Sequence, residues 1–222
     1  MNKMAGLKKR AVIFDLDGTL VDSMPFVIAG FIYAVEPFRP HLSEAEVLTH
    51  LGGPLDTCLR NILGAAAADS FSAARKRLLD YEHGREQDLK PFAGAKELLA
   101  ELRVRNVKLG IWTGRDRYST EKIMAAHGLG PFFPAMVCGD DLPTHKPDPA
   151  GLLHAIKLAG VAPNEAIFVG DADADVMGGH AAGVHTIFIH HGRRAPAHIH
   201  SRAAEVFAYP REAYPALVGH FA

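Results

Sequence analysis

Short, mostly apolar runs recur along the chain at 11–14 (Ala-Val-Ile-Phe), 109–112, 166–169 and 186–189, with a weaker fifth at 135–137. Runs of this length, apolar on both faces, suit the central strands of a parallel sheet covered by helices on each side. The segments between them carry helical spacing and helical punctuation. Residues 95–104 place apolar side chains three and four apart, 118–127 stop at Gly128, and 149–159 open on Pro149 and stop at Gly160. Strand alternating with helix predicts an α/β fold, a Rossmann-like parallel sheet with right-handed crossovers.

The first strand breaks this rhythm. About 95 residues separate Phe14 from Leu109, far more than one crossover helix needs. Between Asp22 and Leu89 no strand pattern stands out, and the spacing predicts helices over 24–35, 43–51, 55–63 and 71–83. Ser43 followed by Glu46 reads as a capping box for the second of these. The expected organisation is a catalytic core formed by 1–21 and 90–222, with a helical cap domain, 22–89, inserted after the first strand on two linkers.

Composition narrows the function classes. The chain has 222 residues, with 24 Lys+Arg against 25 Asp+Glu and a net charge of -1. It carries no basic field for nucleic acid, so any anionic ligand needs a local site. No uncharged stretch is long and unbroken enough to span a bilayer. Cys58 and Cys138 lie in no CxxC or zinc spacing and read as thiols of a reducing compartment, predicting a cytoplasmic protein.

The chemistry-bearing residues follow the predicted strands. Asp15 and Asp17 come directly after the first, in Asp15-Leu16-Asp17-Gly18-Thr19-Leu20; Thr113-Gly114-Arg115 follow the second; Gly170-Asp171-Ala172-Asp173-Ala174-Asp175 follow 166–169; and Lys146-Pro147 precede a helix. Singly, each has an ordinary explanation: an Asx turn, an N-cap, a surface lysine, a polar loop. Jointly they place a hydroxyl, a lysine and several carboxylates at the carboxyl edge of one sheet, where ligands of open α/β folds bind.

This four-part pattern, headed by Asp-Leu-Asp-Gly-Thr-Leu-Val-Asp-Ser at 15–23, resembles the haloacid dehalogenase-like hydrolase superfamily over nearly the whole chain. The position of the insertion resembles the group with a small helical cap, phosphoglycolate phosphatases and their relatives. The resemblance implies a Mg²⁺-dependent phosphatase acting on a small phosphorylated metabolite through an aspartyl-phosphate. It implies Asp15 as nucleophile, Asp17 as general acid and base, and Thr113, the Gly114 N–H and Lys146 on the phosphate. The metal would be held by Asp15 and Asp171 through side chains and by Asp17 through its carbonyl, with Asp175 in the outer shell. Two like charges ~4 Å apart repel by about 4 kcal/mol at an effective dielectric of ~20, so these carboxylates and a phosphate dianion demand a cation, and oxygen donors suit Mg²⁺.

Other features are less specific. Arg115 is a candidate for substrate contact or for a solvated helix start. Gly52 and Gly53 fall where the family's cap reaches the substrate, and equally suit a turn. His180, His185, His190, His191, His198 and His200 match no zinc spacing and read as surface and loop histidines. A superfamily phosphomutase would carry a His on the first cap helix and an Arg in the cap loop; 24–35 has no His, and Pro54 follows Gly53. A pyrophosphatase and a non-enzymatic phospho-acceptor stay as alternatives, the latter being usually shorter and uncapped. A monomer or homodimer is expected.

Overall fold

A computed structural model of the chain describes residues 8–51 and 55–222. Its strands are β1 (Ala11–Phe14), β2 (Val21–Asp22), β3 (Lys90–Pro91), β4 (Lys108–Trp112), β5 (Ala135–Val137), β6 (Ala166–Gly170), β7 (His185–Ile189) and β8 (Glu205–Phe207). Its α-helices are α1 (Met24–Val35), α2 (Glu44–His50), α3 (Leu55–Leu63), α4 (Ala67–Glu82), α5 (Ala95–Val104), α6 (Arg117–Ala126), α7 (Ala150–Leu158), α8 (Asp173–Ala181), α9 (Ala197–His200) and α10 (Pro210–Gly219). Two compact units result. One takes the chain up to Asp22 and from Lys90 onward; the other is Ser23–Leu89.

In the first unit six strands form one sheet in the order β5-β4-β1-β6-β7-β8, every pair parallel. Ala11, Val12, Ile13 and Phe14 are all fully buried, as expected of a central parallel strand flanked by helices on both faces. Ala11 and Ile13 share a cluster with Trp112, Phe168 and, from α7, Leu152 and Ile156. The next strand in the chain after the insertion, β4, lies on one side of β1, and β6 on the other. The carboxyl end of β1 is therefore the topological switch point, where a crevice opens between diverging connections. Phe14 pairs with both Ile111 and Val169, so the chain leaves β1 level with the ends of β4 and β6.

Two features go beyond the sequence pattern. β8 is a sixth strand of three half-buried residues, too short to show a period. The segments expected to be plain linkers pair as an antiparallel ribbon, Val21 with Pro91 and Asp22 with Lys90.

The second unit is helical. Its core gathers Ile28, Phe31 and Val35 of α1, Val47 of α2, Leu59 and Ile62 of α3, and Ala74 and Leu78 of α4. Gly30 lets α1 and α4 approach closely, since a Cβ there would meet Leu78 and Tyr81 at 3.1–3.2 Å. The capping box forms: the Ser43 hydroxyl accepts from the Glu46 N–H at 3.3 Å, and Glu46 accepts from the Ser43 N–H at 3.0 Å. Arg77 donates to the Tyr33 carbonyl at 2.7 Å, satisfying an orphan acceptor at the end of α1. Gly52 and Gly53 lie outside the described residues. Among the described residues no helix is long and apolar enough to cross a membrane.

Candidate active site

Asp15 stands where β1 ends. Its N–H donates to the Val169 carbonyl at 2.8 Å, which extends the β1–β6 ladder by one residue and fixes the direction of the side chain. The chain then turns sharply. Gly18 has φ +73°, a left-handed conformation that glycine adopts without strain, and a Cβ there would collide with the Asp171 carboxylate. The turn is pinned from outside by two groups that the motif does not reveal. The Tyr214 hydroxyl donates to the Thr19 carbonyl at 2.6 Å, and His191 Nε2 lies 2.6 Å from the Gly18 carbonyl. A carbonyl only accepts, so His191 carries its proton on Nε2 in this contact.

Four ionisable groups meet at this point. Lys146 Nζ lies 2.6 Å from Asp15 Oδ1 and 2.7 Å from Asp175 Oδ1, and carboxylate oxygens of Asp15, Asp171 and Asp175 lie within 4.8 Å of one another. Asp175 is held by its other oxygen, which accepts from the N–H groups of Asp171 and Ala172 at 3.1 and 3.0 Å. It thereby closes the first turn of α8, where a carboxylate also complements the helix dipole. Lys146 stands over the Trp112 ring at 4.8 Å, a cation–π contact. Trp112 is itself seated against Gly151 and Gly178, where any Cβ would strike the indole.

The electrostatics are those of a site short of positive charge. Three carboxyls face one ammonium, so with all of them ionised the cluster carries two uncompensated negative charges. Burial pushes the Asp15 carboxyl up to about 7; Lys146 opposes that rise, while Asp175 and Asp17 add to it. Asp171 is raised well above the usual carboxylate range, by burial first and then by Asp15 and Asp175. Burial alone would lower the Lys146 ammonium, but Asp15 and Asp175 hold it firmly protonated. An oxygen-only donor set with a deficit of two charges fits a hard divalent cation.

The remaining sequence candidates fall around this centre. Thr113 is buried, and its Oγ1 accepts from the Arg115 N–H at 3.2 Å, while Gly114 is exposed beside it. The Arg115 guanidinium forks onto Asp17, with Nε and Nη2 at 2.9 and 2.7 Å from its two oxygens. Its neighbours serve the framework. Asp116 caps α6 by accepting from the Ser119 N–H at 2.9 Å, and Arg117 ties the loop after β5 through Asp141 and the Met136 carbonyl. Arg193, which the sequence pattern did not single out, donates to the Asp171 carbonyl at 2.6 Å and to Asp173 at 2.9 Å.

Comparisons with known proteins show the family to which a chain of this fold belongs. The family model described as haloacid dehalogenase-like hydrolase matches residues 12–189. The chain is 32% identical to the phosphoglycolate phosphatase of Pseudomonas putida over 195 residues, covering 84% of this chain and 71% of that protein. It is also 32% identical to the pyrophosphatase PpaX of Bacillus velezensis over 185 residues, covering 82% of this chain and 84% of that one. Among solved structures, a predicted phosphoglycolate phosphatase from Haemophilus somnus superposes with a TM-score of 0.81 at 25% identity, covering 95% of this chain and 98% of its own. With its acidic cluster, lysine and threonine at the switch point of the sheet, the chain belongs to the haloacid dehalogenase-like hydrolase family, and it is a phosphatase of that family.

Proposed function

We propose that the protein hydrolyses a small phosphorylated metabolite, phosphoglycolate or a compound of its size, through an aspartyl-phosphate on Asp15, with Mg²⁺ as cofactor. The observation that carries the reading is the buried meeting of Asp15, Asp171 and Asp175 with the single ammonium of Lys146.

Uncatalysed phosphate-monoester hydrolysis is among the slowest of reactions, and a covalent intermediate divides it into two easier steps. Asp15 Oδ attacks phosphorus, forming one P–O bond as the bond to the leaving oxygen breaks. Asp17 gives its proton to that oxygen and afterwards takes one from the water that attacks the aspartyl-phosphate, returning Asp15 as a carboxylate and releasing inorganic phosphate. In the structure both Asp17 oxygens accept from Arg115, so Asp17 must leave that fork to work as an acid. Lys146 neutralises nucleophile and phosphoryl oxygens, and Thr113 Oγ and the Gly114 N–H donate to those oxygens. Asp15 and Asp171 would hold Mg²⁺ by their carboxylates and Asp17 by its carbonyl. Asp175, committed to two backbone N–H groups and to Lys146, would serve behind them. When bound, the ion supplies the two missing positive charges and draws electron density from the phosphoryl group.

These residues address only the phosphoryl group. Discrimination among leaving groups is assigned to the helical unit Ser23–Leu89 as a cap domain, with Gly52 and Gly53 as candidate substrate-binding residues. The relatives' names give two substrate classes to separate, phosphoglycolate and pyrophosphate. Steady-state assays of the purified enzyme against phosphoglycolate, pyrophosphate and sugar phosphates, with Mg²⁺ and with a chelator, test the reading. The highest kcat/KM is expected for a small carboxylated monoester, with no turnover in the chelator. A preference for pyrophosphate would move the substrate class, and metal-independent turnover would remove the cofactor.

A further inference from the structure

At the opposite end of the sheet from the acidic cluster, three side chains converge that the reaction does not use. His185 opens β7, in register with Ile167 of β6, and Glu205 opens β8, in register with Ile187. His220 follows the last turn of α10. His185 Nε2 and His220 Nε2 each lie 2.7 Å from the same oxygen, Glu205 Oε1. The two imidazoles stand edge to face with centroids 5.0 Å apart. His185 sits three strand residues before the position paired with Gly170, roughly 10 Å back along the strand at ~3.3 Å per residue, so this cluster is separate from the catalytic one.

We propose that His185, Glu205 and His220 form a second metal site, for a borderline divalent transition ion, with Zn²⁺ as the first candidate. Two imidazole nitrogens and one carboxylate oxygen are a donor set that Zn²⁺ prefers and Mg²⁺ does not. In a tetrahedral site with bonds of about 2.0–2.2 Å, neighbouring donors stand roughly 3.3 Å apart. The present nitrogen-to-oxygen separations need to open by only about half an ångström to reach that. All three candidate donor atoms already lie within 4.8 Å of one another. Each ligand comes from a different element, and the chain end beyond His220 is tied down by Arg105, which donates to the Phe221 carbonyl at 3.1 Å. The site is largely preformed. The three side chains keep 26%, 29% and 27% of their surface exposed, which leaves an open side for ion entry and for water as the fourth ligand.

A bound ion would tie the edge strand β8 and the carboxyl end of α10 to β7. α10 also carries Tyr214, whose hydroxyl holds the turn after Asp17, so the site braces the framework of the catalytic loop without touching substrate. Sequence spacing does not disclose this cluster, because its members stand 20 and 15 residues apart on three elements.

The test is Zn²⁺ titration of the purified, chelator-stripped full chain by calorimetry, with Mg²⁺ held saturating so that the acidic site is filled. One equivalent of Zn²⁺ is expected to bind to the wild type and to raise its melting temperature. His220→Ala, close to the chain end, and Glu205→Gln should each weaken that binding by at least about tenfold and abolish the thermal shift. Both should keep aryl-phosphate hydrolysis and the circular-dichroism spectrum. Asp171→Asn should leave Zn²⁺ binding intact. Wild type that binds no Zn²⁺ over Mg²⁺, or an equivalent that survives in both variants, or one lost only in Asp171→Asn, would overturn the proposal.

Discussion

Asp15 is a carboxyl that burial holds near neutral pH, with its value pushed up to about 7 against an ordinary 3.8. A buried acid raised in this way binds more protons folded than unfolded between those two values. Its favourable contribution is complete below about pH 4 and is lost as pH climbs towards 7 in the metal-free chain. Asn mimics the neutral form. Metal-free Asp15→Asn is therefore expected to be more stable than wild type at pH 7, by roughly 4 kcal/mol, and to unfold at a higher temperature, with the gap closing near pH 4. Parallel melting curves across that range would show that Asp15 does not titrate as described. The same variant should have no measurable turnover, because an amide cannot attack phosphorus. Asp17→Asn should lose ~10²–10⁴ in kcat, the usual worth of a positioned proton donor, and an undiminished kcat would remove the role. Arg115 belongs to this scale too: the sequence offers it as a substrate contact or a solvated helix start, but not as a partner of Asp17, because a contact between residues 98 apart leaves no local trace.

At the scale of elements, the sequence shows strands that are buried on both faces and helices with caps or terminal glycines. Ala11–Phe14 reads directly from four apolar residues, and the Ser43–Glu46 box forms as its spacing requires. β8 and α10 escape notice for the opposite reason. The strand has three half-buried residues, and the helix carries an internal Pro215, which argues against helix in any local reading. Yet α10 supplies the Tyr214 contact to the catalytic turn. The glycines Gly151 and Gly178 are similarly silent in sequence, and the structure shows them making the slot for Trp112 beneath Lys146. Gly178→Ala sets a methyl 2.6 Å from the indole. It should cost about 1–3 kcal/mol of stability, seen in thermal unfolding, and lower kcat as Trp112 and Lys146 shift together. A variant with wild-type stability and rate would mean that the slot is not tight.

At the scale of the molecule, the length of chain between β1 and β4 betrays the helical insertion, since a parallel connection needs only a dozen or so residues. The leaving-group specificity assigned to the helical unit is tested by replacing Ser23–Leu89 with a short Gly/Ser linker. Should the remaining core fold, it is expected to keep slow Mg²⁺-dependent hydrolysis of an activated aryl phosphate and to lose its ranking of natural metabolites; an unchanged ranking would place specificity in the core. The central claim, that Asp15 carries the phosphoryl group between substrate and water, is most directly tested by the stereochemical course at phosphorus, using a substrate whose thiophosphoryl group is made chiral with oxygen isotopes. Two in-line displacements, first by Asp15 and then by water, predict net retention of configuration. Net inversion would mean that water attacks the substrate directly, and would contradict the account.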